Sequence, residues 1–357
     1  MSHTDLTEYG YNSQIARLWQ EHGAEGFEPG RVLAEHRERY RVITAQGELD
    51  AEITGNMRYT ASDRSTFPAV GDWVVLMVYD GGSALIHKVL PRTSLLSRQA
   101  VGRQGEIQVI AANIDLAFLV QSADRDFNIN RLERYLTICH SSGIRPVIVL
   151  TKTDLLSPGE LPELINRLER RISQVPVLAV SNVSGEGLDL LAAYLQKGQT
   201  CCLLGSSGAG KSTLLNRLSG REVMKTDSIS ASTLKGRHTT THRELIVLES
   251  GALLIDNPGM KEVGIADQGE GLDITFDQLL RLAESCRYQN CTHTGEAGCA
   301  VREAVENGEL DSASYENYLR MEREKAHFEA TLAERRQKDK DFGKMMKNYK
   351  KDIRKNT

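Results

Sequence analysis

Residues 205–213 read Gly205-Ser206-Ser207-Gly208-Ala209-Gly210-Lys211-Ser212-Thr213, directly after the apolar run Thr200 to Leu204. Every fixed position of the G-x-x-x-x-G-K-[ST] phosphate-loop pattern is filled, and Lys211 to Leu218 reads as the helix that should follow. The glycines let the backbone curl until its N–H groups point inward at phosphate oxygens. The helix N-terminus adds its partial positive charge. In such a loop Lys211 reaches the β- and γ-phosphates and the Ser212 hydroxyl ligates Mg²⁺. Strand, glycine loop and helix in this order belong to a parallel sheet covered by helices. The texture around the loop agrees: apolar runs Ile114 to Val120, Arg145 to Leu150, Val175 to Val180 and Leu253 to Ile255 alternate with helical stretches Asn128 to Ser142, Glu160 to Ser173 and Gly187 to Leu195.

Working outward, the run Leu253 to Ile255 ends in Asp256-Asn257-Pro258-Gly259. Asp256 is placed to hold the metal through water, and the Gly259 N–H to meet the γ-phosphate. Upstream, Thr151-Lys152-Thr153-Asp154 follows the run Arg145 to Leu150 and resembles the Asn-Lys-x-Asp guanine motif of GTPases. A carboxylate at Asp154 accepts from the N1 and N2 donors of guanine, a pattern adenine lacks, which disfavours an ATPase. The Lys152 stem would cover base and ribose. Thr151 in place of Asn is a departure expected to loosen this loop. Ser181-Asn182-Val183, after the next run, stands where a backbone contact to guanine O6 belongs. In Ras-like GTPases the phosphate loop comes first and the guanine motifs last; here the order is reversed, as in a circularly permuted GTPase. Permutation preserves the site because the same strands still occupy the same places in the sheet.

The flanks differ from this centre. From Arg31 to about Leu90 the texture is all-β, with strand candidates Arg39 to Thr44, Glu48 to Thr54, Asp72 to Tyr79 and Ala84 to Leu90. Leu49, Ala51 and Ile53 alternate with Glu48, Asp50 and Glu52, the period of a half-buried strand. Short strands at this density predict a small barrel of the OB type. Residues 1–30 are polar and predict at most a short helix. Downstream, Cys286, Cys291, His293 and Cys299 place three thiols and an imidazole within fourteen positions. That donor set suits tetrahedral Zn²⁺, and four protein ligands would close the site and make it structural. A long charged helix is predicted from about Ser312. The expected division is 1–30 extension, 31–100 barrel, 101–274 permuted GTPase domain and 275–357 zinc knuckle with helical basic tail.

Composition excludes little else. The 357 residues carry a net charge of −4, so the chain as a whole is not basic. Lys344, Lys347, Lys350, Lys351, Arg354 and Lys355 nevertheless concentrate positive charge at its end. No apolar run approaches the roughly 20 residues of a membrane span. Met1 to Gln14 lacks the order of a signal peptide, and six cysteines in a chain this long are no disulfide framework. A cytoplasmic monomer without a membrane partner is the expectation.

A small barrel, a permuted GTPase domain and a Cys-x4-Cys-x-His-x5-Cys knuckle, in this order, resemble the small-ribosomal-subunit-dependent GTPases of the RsgA (YjeQ) family, over Arg31 to about Arg320. The resemblance implies a factor that binds the 30S subunit late in its maturation and hydrolyses GTP to GDP in response. The barrel and basic tail would then face 16S rRNA. Met260 occupies the place of the Ras-type water-orienting Gln and cannot polarise water. The segment Gly236-Arg237-His238-Thr239-Thr240-Thr241 falls where the first switch belongs. Thr240 is the candidate Mg²⁺ ligand, His238 the candidate for positioning water, and Arg237 a weaker candidate for charge stabilisation. The rival reading is a GTP-regulated rRNA-binding module in which hydrolysis is incidental.

Overall fold

The computed structural model describes residues 4–36, 38–61, 64–99, 107–220, 243–256, 270–330 and 337. Five strands form the N-terminal barrel: β1 (Glu28–His36), β2 (Arg39–Thr44), β3 (Gly47–Ile53), β4 (Trp73–Tyr79) and β5 (Ser83–Val89). They pair in the closed circuit β1-β2-β3-β5-β4-β1, with β3 and β5 parallel and the other pairs antiparallel. The predicted alternation holds in β3, where Ala51 and Ile53 point into a core shared with Val32, Val42, Val74, Leu76 and Ile86.

The N-terminal extension is more ordered than its composition suggests. Helix α1 (Ser13–His22) runs ten residues, and the Asn12 side chain caps it by accepting from the Gln14 and Ile15 amides. Ile15, Leu18 and Trp19, at helical spacing, cover Trp73, Val75 and Leu90 outside the barrel. A short helix α2 (Gly55–Thr60) follows β3, and β6 (Leu95–Gln99) pairs with β7 (Ile107–Ala112) in a separate ribbon.

The second body is a six-stranded sheet of β8 (Leu116–Ser122), β9 (Arg145–Thr151), β10 (Val177–Ala179), β11 (Thr200–Leu204), β12 (Arg243–Val247) and β13 (Leu253–Asp256). Its order is β10-β9-β8-β11-β13-β12, parallel except for β12. Helices α3 (Ile129–Ser141), α4 (Glu160–Glu169), α5 (Leu188–Ala192) and α6 (Lys211–Leu218) connect it. β8 is buried along its whole length, as a central parallel strand must be. Beyond the sheet come α7 (Gly271–Thr275), α8 (Asp277–Ala283), α9 (Ala300–Glu306) and α10 (312–330). Among the described residues, no helix is long and apolar enough to cross a membrane.

Barrel and sheet are continuous. The outer edge of β12 pairs with β1 in the register Ala34↔Glu244 and Glu35↔Arg243, making one eleven-stranded sheet. Arg41 of β2 also pairs with Glu244. Behind this seam lies Arg31, only 2% exposed. Its guanidinium donates to the carbonyls of Tyr9, Gly71 and Asn113 and, at 2.8 Å, to Thr200 Oγ1, while stacking 5.5 Å from the Trp73 ring centroid. One side chain thus ties the N-terminal segment, the barrel and the strand leading to the phosphate loop. Burial lowers the Arg31 pKa to about 10, against the opposing pull of Asp115 and Asp72. At that value the side chain stays charged at neutral pH.

Candidate functional site

The phosphate loop leaves the buried strand β11 at Gly205, whose φ of +157° and missing Cβ are both required: a Cβ there would sit 2.1 Å from the Val120 carbonyl oxygen. Gly210, at φ +84°, closes the loop and caps α6. Lys211 folds back over the loop and donates to the carbonyls of Gly205 (2.7 Å) and Ser206 (2.6 Å). Ala209 is buried, whereas Ser207, Gly208 and Thr213 are exposed; Ser212 lies in the first turn of α6. The register Cys202↔Ile255 brings the end of β13, where Asp256 stands, alongside the strand that delivers the loop.

The two halves of the site, reversed in the chain, meet in space. Thr151 closes β9, is fully buried, and donates from Oγ1 to the Ala209 carbonyl at 2.6 Å. The expected loosening at this position is therefore not what the geometry shows: the hydroxyl stitches the base loop to the phosphate loop. Asn182 adds a second link, Nδ2 to the Gly210 carbonyl at 3.3 Å. Asp154 lies in the turn Thr153–Leu155, and its Oδ1 accepts from Ser181 Oγ at 2.7 Å. The same hydroxyl accepts from the Val183 and Ser184 amides, so Ser181 shapes its own turn and aims Asp154 at once. Lys152 adopts a left-handed conformation at φ +58° and its Nζ binds Asp124 Oδ2 at 3.0 Å. Burial pushes the Asp124 pKa up, but the Asp126 amide, Lys152 and the Ser122 hydroxyl together outweigh it and leave it below the usual value.

Three links escaped the sequence reading. Arg131, at the start of α3, donates from Nη1 to Ser206 Oγ at 3.1 Å. Asp124 fixes Lys152, and Asn182 reaches Gly210. Nothing in the local pattern marks any of them. The sequence candidates Arg237, His238, Thr240, Gly259 and Met260, and the basic tail from Lys344 to Lys355, lie outside the described residues.

The second candidate centre is built from the loop after α8 and the start of α9. The ligand atoms of Cys286, Cys291, His293 and Cys299 all lie within 4.8 Å of one another. His293 Nδ1 is 3.6 Å from Cys286 Sγ and 3.5 Å from Cys299 Sγ, and those two sulfurs are 4.0 Å apart. Zn–S bonds of about 2.3 Å and a Zn–N bond of about 2.0 Å give tetrahedral edges near ~3.8 and ~3.5 Å, so the donor set fits zinc. His293 takes a left-handed φ of +61°, and its carbonyl accepts from Tyr315 of α10 at 2.6 Å. The cluster therefore anchors the C-terminal helix.

A sheet of this order, with a phosphate loop after β11 and a carboxylate-bearing base loop after β9, defines the class: a circularly permuted P-loop GTPase preceded by an OB-type barrel. The RsgA GTPase family model matches residues 89–266. An ABC transporter model matches residues 188–346, overlapping it across the phosphate loop. The small ribosomal subunit biogenesis GTPase RsgA 2 of Lactiplantibacillus plantarum is 45% identical over 324 residues, covering 90% of each chain. RsgA 1 of Bacteroides thetaiotaomicron is 39% identical and covers 97% of each. The crystal structure of YjeQ from Thermotoga maritima superposes with a TM-score of 0.62 at 28% identity, covering 84% of this chain and 99% of that one. YloQ, a circularly permuted GTPase, gives 0.61 at 26%, covering 85% and 96%. The chain belongs to the RsgA family of GTPases.

Proposed function

We propose that this protein hydrolyses GTP to GDP and phosphate on the small ribosomal subunit and assists that subunit's late maturation. The observation that carries the reading is the junction of base loop and phosphate loop at Thr151 and Ala209. It assembles one guanine-nucleotide site from motifs that the chain presents in permuted order. The subunit as partner is supported by the relatives' names, small ribosomal subunit biogenesis GTPase.

In this reading the loop N–H groups and Lys211 hold the phosphates, and Asp154, aimed by Ser181, selects guanine. Ser212, Asp256 and Thr240 would hold Mg²⁺, which would neutralise charge on the transferring phosphate. His238 positions water in the place Met260 cannot serve. Zinc, one per chain, holds the knuckle together, and 16S rRNA meets the barrel and the basic tail. The units are 1–30, 31–100, 101–274 and 275–357. GTP turnover with and without purified 30S particles tests the assignment. Wild type should be stimulated, and His238→Ala should bind GTP yet lose the stimulation. Unchanged stimulated turnover in that variant would sink the role of His238, and no stimulation of wild type would sink the subunit as trigger.

A further inference from the structure

Helix α3 is a row of charges, and all but one are neutralised. Glu133, 1% exposed, takes a two-pronged contact from Arg171 and accepts from Ser314 and Asn317 of α10. Arg134 grips Glu324 of α10 through both its terminal nitrogens, at 2.7 and 2.8 Å. Arg131 is the exception. Among the described residues it makes no ion pair, and its partner is the neutral hydroxyl of Ser206, on the second residue of the phosphate loop. That residue's carbonyl is held by Lys211, so two cations address the two oxygens of one loop residue.

A half-buried guanidinium loses hydration that a hydroxyl only partly restores, and two like charges drawn to one short loop repel. Both costs vanish when an anion occupies the loop. A guanidinium, with its fork of donors, is also the side chain best matched to phosphate oxygens. We infer that Arg131 is a phosphate-recognising residue of this site, supplied in cis by α3, that favours the nucleotide with the additional terminal phosphate. The inference rests on the guanine-nucleotide reading of the loop.

The test is the ratio of affinities for fluorescent GTP and GDP analogues, measured with Mg²⁺ on the full-length protein. Arg131→Ala should weaken GTP about tenfold and GDP less than about twofold, the loss expected for one charge-assisted contact. Arg131→Gln, which keeps the stem and some hydrogen-bonding capacity, should shift the ratio the same way and guards against a folding defect. Ser206→Ala should leave the ratio as in wild type. Equal losses for the two nucleotides would make Arg131 a brace of the loop and overturn the inference. So would a Ser206→Ala ratio matching Arg131→Ala, since the arginine would then act only through the hydroxyl. If wild type bound neither analogue, the nucleotide reading itself would fall, and this inference with it.

Discussion

Asp154 and Ser181 stand 27 positions apart, yet a 2.7 Å hydrogen bond joins them into the pair that we propose chooses the base. The carboxylate offers only acceptors, which is what the two donors on the guanine edge need. Asp154→Asn places an amide group against one of them. GTP affinity should fall by about 100-fold, the cost of losing charged hydrogen bonds, with ATP affinity unchanged. Competition between the two nucleotides measures this, and an unaltered preference would remove Asp154 from the base site. At this scale the sequence is legible where chemistry dictates every position, as from Gly205 to Thr213. It is silent on Arg131 and Arg31, whose partners lie 75 and 169 positions away. A lone arginine carries no mark of what it will meet.

The elements divide in the same way. β2, β11 and α6 keep the predicted bounds because apolar runs and turn residues delimit them. β12 is missing from the sequence reading although Leu245 to Leu248 is an apolar run; the run is short, and what fixes it as a strand is pairing with β13 on one side and β1 on the other. The cysteine knuckle was legible because thiols are few elsewhere and ligand spacing is a chemical constraint. It supports little apolar core of its own, and it anchors α10 through Tyr315 and the His293 carbonyl. Cys291→Ser, or treatment with a strong chelator, should therefore reduce zinc below one ion per chain by atomic absorption. The melting temperature should fall with it, and proteolysis should reach α10 first. Full metal content in the variant would argue against Cys291 as a ligand.

For the whole molecule, Arg31 is the joint on which barrel, N-terminal segment and phosphate-loop strand converge. Arg31→Ala removes the guanidinium's bonds to the Tyr9 and Asn113 carbonyls and to the Thr200 hydroxyl, and should cost ~3–5 kcal/mol in urea unfolding, as removing one partner of a buried charged network does. A loss under about 1 kcal/mol would show that water replaces the guanidinium at little cost. Glu133, Arg134 and their partners form a second joint, between α3 and α10.

The pairing of β1 with β12 also dictates a timetable. Residue 34 of the nascent chain finds its barrel partners within about fifty positions, but its neighbour at Glu244 emerges some two hundred residues later. Counted from the end of β5 at Val89, and at about 5–20 residues per second, the barrel has roughly eight seconds or more in which to close alone. During that interval β1 carries an unfilled edge, and the base loop is already made while the phosphate loop is still unwritten. The seam between the two bodies closes only once residues 243–247 are made, about two-thirds of the way along the chain, so a chain truncated before β12 would leave an open edge where the full-length protein has a continuous sheet.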